Sequence, residues 1–246
     1  MSAIGTVLGV WAHPDDECYL SAGLMARAAR TGRRVVCVTA TFGEAGVTDE
    51  SRWPADQLAE IRREELGRSM AILGVGEHHW LGLPDGGCAD ADAEPVIRKI
   101  AAIIAAVQPR IVVTFGPDGI TDHPDHKAVG AWTTAAFDRA APRGAELWFP
   151  VYDRDWEPVW GDELRGLGVY PAGFPPVLDR TDLVASALLD DEIVGLKYAA
   201  LAAQESQVEG LRSALGHDRY REFLRHESFV LAAVSIAPDG AHAVIP

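Results

Sequence analysis

The feature that most constrains the fold is a regular alternation of short β-branched runs with longer segments of helical period. Thr6 to Trp11, Val35 to Thr41 and Ile111 to Phe115 are apolar and rich in β-formers, the length of buried strands rather than helices. Leu20 to Arg30 is Ala/Leu/Met-rich at helical spacing and is closed by Gly32, while Ala55 to Leu73 ends at Gly74. A strand is expected near His78 to Leu81. Further helices are expected over Glu94 to Val107 and from Pro124 towards Phe137. This order predicts βαβ crossovers and therefore an α/β fold with a mostly parallel sheet flanked by helices.

From Glu146 to about Asp182 the rhythm breaks into a stretch dense in Pro and aromatics, too long and irregular for a simple connection. It reads as an insert at about 148–182 within one domain spanning 1–246. Two roles are open for its aromatics: a rim where Trp156, Trp160 or Tyr170 stacks on the apolar face of a substrate, or a satellite core or subunit interface. Regular structure is expected to resume with a helix near Leu188 to Ser206 and a final strand over Phe229 to Ile236.

Length and charge narrow the function classes. At 246 residues the chain suits one large α/β domain. Its formal net charge of -14, from 22 Lys+Arg against 36 Asp+Glu, repels phosphate backbones, and no basic run offsets it. Nucleic acid is excluded as a partner on that ground. Cys18, Cys37 and Cys88 are odd in number and far apart, so they form no disulfide framework and suit a reducing cytoplasm. Met1 to Val10 lacks a positive n-region and reads as a strand rather than a signal peptide. The most apolar later run, Ile100 to Val107, is too short to span a bilayer, so no membrane segment is expected. Oligomeric state is left open.

The chemistry is concentrated in two clusters. The first strand runs into His13-Pro14-Asp15-Asp16-Glu17, where open parallel sheets place ligand sites, beyond the C-terminal ends of their strands. Pro14 biases His13 away from helical geometry and fixes the turn, so an imidazole and carboxylates can converge. Asp122-His123-Pro124-Asp125-His126 follows the Ile111 to Phe115 strand and should lie on the same edge. Pro124 suits the first helical position, and His123 and His126 can then sit one turn apart, one binding metal and the other facing the substrate. Two imidazoles and a carboxylate satisfy Zn²⁺, and three protein ligands leave a position open for catalysis.

These paired motifs resemble those of the GlcNAc-phosphatidylinositol deacetylase family, the PIG-L or LmbE-like proteins. The likeness extends through Thr41 to Gly46, Arg62 to Glu65, Leu81 to Gly86 and Lys197 to Gln207. The resemblance implies a Rossmann-like fold, one Zn²⁺ on His13, Asp16 and His126, and hydrolysis of an N-acetyl group from an amino sugar. Fe²⁺ is the alternative ion. It further implies Asp15 as general base, His123 as the group that steadies or protonates the intermediate, and Asp125 as the orienter of a neighbouring imidazole. Glu44, Arg62 and Asp85 match substrate contacts, though each can also be read as a loop anchor. Thr121 stands where some relatives carry a tyrosine, and Gln204 where many carry a histidine, a change expected to affect only helix packing.

Three other functions could use such residues. A thiol-conjugate amidase would share the site. A non-haem Fe(II) oxygenase also uses two His and one carboxylate, but the βα alternation argues against the all-β barrels usual for such triads. A binding module with structural zinc would close the fourth position and have no use for Asp15 and His123 beside the metal. Cys18 reads as a buried thiol rather than a ligand, and His78, His79, His217, His226 and His242 fall in no ligand-like arrangement.

Overall fold

The computed structural model describes residues 5–175 and 177–232. Strands and helices alternate through β1 (Val7–Trp11), α1 (Asp16–Arg30), β2 (Val35–Thr41), α2 (Leu58–Leu73), β3 (Glu77–Leu83), α3 (Ala93–Val107), β4 (Ile111–Val113), α4 (Pro124–Ala140) and β5 (Glu146–Asp153). These five strands run parallel in the spatial order β3-β2-β1-β4-β5. Every residue of β1 and β2 is buried, the state expected of continuous apolar runs covered on both faces. The chain moves outward from β1 to β3 and then returns to the other side of β1 for β4. Right-handed crossovers consequently place α1 and α2 on one face and α3 and α4 on the other. The packing agrees, since α3 contacts α4 and α1 contacts α2.

The later part of the chain adds α5 (Asp162–Gly166), β6 (Val177–Leu178), β7 (Ala185–Leu188), α6 (Asp191–Ala202), α7 (Glu205–Leu215), α8 (His217–Phe223) and β8 (His226–Leu231). Here β8 pairs antiparallel with β5, and β7 antiparallel with β8. The sheet is therefore mixed but mostly parallel. Helix α6 packs on α1 and α2.

Several sequence expectations need correction. The stretch 148–182 begins inside β5, a central strand, although Pro150 reads as a strand breaker. Pairing with β4 stops at Trp148, so the missing Pro150 N–H interrupts no ladder on that side. The helix expected to reach Ser206 ends at Ala202, and Gln204 immediately precedes a separate helix, α7. The last strand starts earlier than expected, at His226; the end of the expected strand and His242 lie outside the described residues. Trp156, Trp160 and Tyr170 are buried, which overturns the rim reading. Trp156 stacks on Tyr152 with centroids 4.2 Å apart, the Tyr170 hydroxyl donates to that of Tyr152, and Trp160 meets Phe223 edge-on at 5.6 Å. Aromatic bodies bury large apolar areas, so together they make a satellite core.

One buried ion pair ties the antiparallel end of the sheet to α1. Lys197 of α6 donates to Glu227 Oε1 of β8 at 2.9 Å and to the Tyr19 carbonyl at 2.8 Å. The Glu227 carboxylate also accepts from the Gly23 and Leu24 amides at 2.7 and 3.0 Å. The small residue at 23 leaves room for this arrangement, since a Cβ there would come within 2.6 Å of Leu189 and 2.8 Å of Glu227 Oε2 and would push them aside. Replacing Lys197 by Met leaves a buried carboxylate without its cation and is expected to cost about 3–5 kcal/mol in a urea melt. The double variant Lys197→Met/Glu227→Gln should regain only part of that loss, because a carboxamide oxygen can accept from Gly23 or Leu24 but its nitrogen cannot accept from the other. A single variant less than about 1 kcal/mol below wild type would mean that the pair is not desolvated as described.

Candidate functional site

The order β2-β1-β4 contains the point where the chain reverses direction across the sheet, and the crevice beyond the strand ends at such a point is where open α/β sheets bind ligands. β1 delivers His13, Asp15 and Asp16 to that crevice. The loop after β4 delivers His123 and the first turn of α4. Pro124 starts α4, and the His123 side chain caps it by accepting from the Asp125 amide. This puts His126 one turn into the helix with its ring against Phe115, stacked at 4.1 Å. α4 can lie that close because residue 130 is glycine: a Cβ there would stand 2.5 Å from the Phe115 carbonyl oxygen.

The ring tautomers follow from fixed partners. His126 Nδ1 lies 2.9 Å from the Gly119 carbonyl, which can only accept, so Nδ1 carries a proton and Nε2 presents a lone pair to the cavity. His13 Nε2 faces Asp85 at 3.0 Å and Asp125 at 3.3 Å, so it too carries a proton and Nδ1 turns inward. Asp125 is itself held by the Gly86 and Cys88 amides. Acceptor atoms then converge: His13 Nδ1 is 3.2 Å from His126 Nε2 and 3.6 Å from Asp16 Oδ2, while His126 Nε2 is 3.3 Å from Asp16 Oδ1. The edge of a tetrahedral zinc site with bonds near 2.0–2.1 Å is roughly 3.3 Å. His13, Asp16 and His126 therefore fit a divalent cation, and the partners behind both imidazoles are of the kind that orient metal ligands. His13, His123 and Asp125 form a second group close enough to share an ion, but Asp125 already accepts two backbone amides and the His13 proton.

Charge balance points the same way. Burial lowers the His13 pKa, yet hydrogen bonds to Asp125 and Asp85 and the charge of Asp16 outweigh it and raise the value to about 10. His126 is lowered, by burial and by the neighbouring imidazoles against the pull of Asp16. For Asp85, burial is outweighed by the His13 hydrogen bond and charge, which bring it down to about 2. The Asp15 carboxyl is pushed up to about 8 by burial, opposed by Arg62 and reinforced by Asp16 and Glu17. The cluster thus holds a positive charge on His13 where a metal's charge would go.

These groups line a cavity of about 340 Å³ with Asp15, Arg62, Asp85 and His123 in its wall. That is enough for a small-molecule ligand. A larger groove of about 500 Å³ lies between the end of α1 and the start of α6, but there Arg27 and Arg30 are paired with Asp190 and Glu192 and, among the described residues, no group of potential metal ligands converges. Size is not the criterion here; the convergence is.

Of the three expected substrate contacts, the structure gives each an anchoring partner. Arg62 is buried and donates to the carbonyls of Gly43 at 2.7 Å and Pro14 at 2.5 Å, with Asp15 at 3.6 Å. Glu44 accepts from the Asp85 amide, and Asp85 from the Ala45 amide, so the two loops latch each other. Arg62 and Asp85 nevertheless reach the cavity wall. Gln207 also lines the cavity while donating to the Gly46 carbonyl, a residue that only the Lys197 to Gln207 stretch had signalled. Thr121 sits 3.1 Å from His126 Nδ1 and shares that proton with Gly119. Cys18 is buried beside Ser69, not at the cation cluster.

Residues 8–137 match the family model described as PIG-L: GlcNAc-PI de-N-acetylase. A 1D-myo-inositol 2-acetamido-2-deoxy-alpha-D-glucopyranoside deacetylase of Mycobacterium sp. (strain JLS) is 39% identical over 96% of this chain and 86% of its own. The protein of the same name from Rhodococcus erythropolis is 30% identical over 95% of this chain and 93% of its own. Among solved structures, N,N'-diacetylchitobiose deacetylase from Pyrococcus horikoshii matches in fold with a TM-score of 0.63 at 21% identity, over 93% of this chain and 84% of that one.

The charged His13 makes cation binding a proton exchange. Its sign is fixed: the proton is held below a pKa of about 10, so a divalent ion must displace it and gains affinity as pH rises. Apparent affinity should climb about tenfold per pH unit between about 8 and about 10, with one proton released per ion. Below about 8, release should rise towards two as the bound charge also ionises Asp15. Calorimetric titrations in buffers of different ionisation enthalpy count these protons. An affinity flat across that window would show that His13 carries no such charge.

Proposed function

The chain belongs to the PIG-L, or GlcNAc-PI de-N-acetylase, family, and we propose on that premise that it is a zinc-dependent hydrolase removing the N-acetyl group of a GlcNAc-type amino sugar. The names of its relatives favour a GlcNAc-inositol as that sugar. The observation that carries the reading is the meeting of His13, Asp16 and His126 with the Asp15 carboxylate and the His123 imidazole in one cavity. His13, Asp16 and His126 would hold the ion, Zn²⁺ by preference and Fe²⁺ as the alternative. When bound, it supplies Lewis acidity and a nucleophile active at neutral pH.

The chain's own groups supply the rest. Asp15 accepts a proton at its carboxylate, which Arg62 faces from 3.6 Å without a short bond that would hold the lone pairs. His123 Nδ1 accepts from the Asp125 amide at 3.2 Å, so the neutral ring carries its proton on Nε2 and is a donor towards the substrate amide. Asp125 fixes the His13 ring, and Asp85, Arg62 and Gln207 face the sugar. A small-molecule amino sugar is the partner this cavity fits. No described helix is long and apolar enough to cross a membrane. Three buried free thiols fit the reducing cytoplasm as the compartment.

The neighbouring carboxylates separate the proposed roles. Asp15→Asn keeps size and polarity but accepts no proton, so zinc should stay bound while kcat for amine release from GlcNAc-inositol falls about 10²–10⁴-fold. Asp16→Asn should weaken zinc itself, because an amide oxygen is a poorer donor, and excess metal should partly restore its rate. Loss of zinc from Asp15→Asn, with both zinc and rate intact in Asp16→Asn, would reverse the assignment. Chelation should abolish wild-type activity and Zn²⁺ should return it; full activity in enzyme shown metal-free by elemental analysis would sink the hydrolase mechanism as stated.

A further inference from the structure

We propose that Glu17 and Gln204 are positioning residues for Asp15, forming with Arg62 a buried clamp that holds the Pro14–Asp15 peptide in one orientation. The inference rests on the reading of Asp15 as proton acceptor. Asp15 has φ of 102°, a conformation that side-chain-bearing residues rarely adopt and that persists only where the surroundings over-determine it. Both polar atoms of its preceding peptide are engaged: the Pro14 carbonyl accepts from Arg62 at 2.5 Å, and the Asp15 amide donates to Glu17 Oε2 at 3.0 Å.

Glu17 is fully buried, and its other oxygen accepts from the Gln204 side-chain amide at 2.7 Å. Gln204 is itself buried at the junction of α6 and α7, within 3.2 Å of the Ser69 hydroxyl. Its segment is pinned by Ser206, whose amide and hydroxyl donate to Glu65 at 2.9 and 2.6 Å. Arg62, Glu65 and Ser69 lie on one face of α2, buried and polar where a helix of this kind would ordinarily present apolar side chains. That face serves the turn at Asp15 through two routes, Arg62 directly and Ser69 by way of Gln204 and Glu17. Asp16 is held separately, accepting from the His13 amide at 2.8 Å. Loosening the clamp therefore lets the Asp15 carboxylate swing from the cavity while the cation cluster keeps its shape.

The test uses Gln204→Leu and Gln204→Glu, and the swapped pair Glu17→Gln/Gln204→Glu, in which the amide at 17 keeps an oxygen for the Asp15 N–H and donates to the carboxylate at 204. Each single variant should lower kcat about ten- to a hundredfold, the scale of a small misplacement, with KM and bound zinc unchanged. The swapped pair should recover most of the rate. Hydrogen exchange read by NMR needs no turnover: the Asp15 amide should exchange at least about tenfold faster in each single variant and be protected again in the swap, while amides of Val7–Trp11 hold their wild-type rates. Unchanged Asp15 exchange in Gln204→Leu, or a swapped pair no better than Gln204→Glu, overturns the clamp. If wild-type enzyme releases amine from no N-acetylated sugar but the Asp15 amide behaves as described, the deacetylase reading fails and the clamp stands.

Discussion

The constraint on which the site depends is electrostatic: two imidazole lone-pair positions and a carboxylate converge within 3.2–3.6 Å, and like-polarity atoms at that range require a positive charge among them. In the bare protein a proton on His13 meets the requirement, which is why that imidazole is raised to about 10 although burial alone would lower it. The acceptors behind it explain the geometry. Asp125 and Asp85 fix one nitrogen of His13, and the Gly119 carbonyl fixes one nitrogen of His126, so the remaining lone pairs have nowhere to point but at each other. A divalent cation resolves the same conflict with more charge, and neither imidazole ring has to turn to receive it.

Topology makes that convergence cheap in chain length. His13 leaves β1, and His126 opens α4 after β4; these strands are neighbours although 113 residues separate the two imidazoles. The crevice between their ends is open because the chain departs from β1 in one direction and returns on the other side. Backbone strain gathers at the same place. Asp15, Ile120 and Asp122 all have positive φ, and all lie in the two segments that bring His13 and His126 together. A β-branched residue such as Ile120 at φ 57° is held there by its surroundings rather than by preference.

Much of this was legible in the sequence because it is local. The strand and helix periods, the glycine after α2, Pro124 at the start of α4 and the two His-Pro-Asp clusters are each short-range patterns whose meaning needs no partner. What stayed illegible is long-range. Gln204 reads as a polar residue near a helix end, and nothing nearby in the chain says that its amide meets Glu17, 187 positions away. Arg62, Glu44 and Asp85 resemble ligand contacts in sequence because loop anchors and substrate contacts use the same side chains; only the Gly43, Pro14 and Ala45 backbone partners reveal the anchoring. The aromatic run failed differently. Trp156, Trp160 and Tyr170 are amphipathic, and sequence cannot say whether such rings face a cavity or each other.

Those aromatics still bear on the site, though not by touching a ligand. Tyr152 belongs to β5, and Trp156 and Tyr170 close over it; Trp160 packs on Phe223 of α8 just before the chain enters β8. The satellite core thereby fixes β8 against β5. From β8, Glu227 reaches α1 and takes the Gly23 and Leu24 amides, while Lys197 takes the Tyr19 carbonyl, two turns or less from Asp16 at the helix start. The Tyr19 hydroxyl also meets that of Tyr220, on α8. A helix whose first turn holds Asp16 in the acceptor cluster beside a strained residue cannot be left to slide, and apolar packing alone tolerates small shifts along the axis. Directional hydrogen bonds from a buried ion pair do not. The antiparallel extension of the sheet is in this sense a support for the far side of α1, and its reach to the chemistry runs through that helix rather than across the cavity.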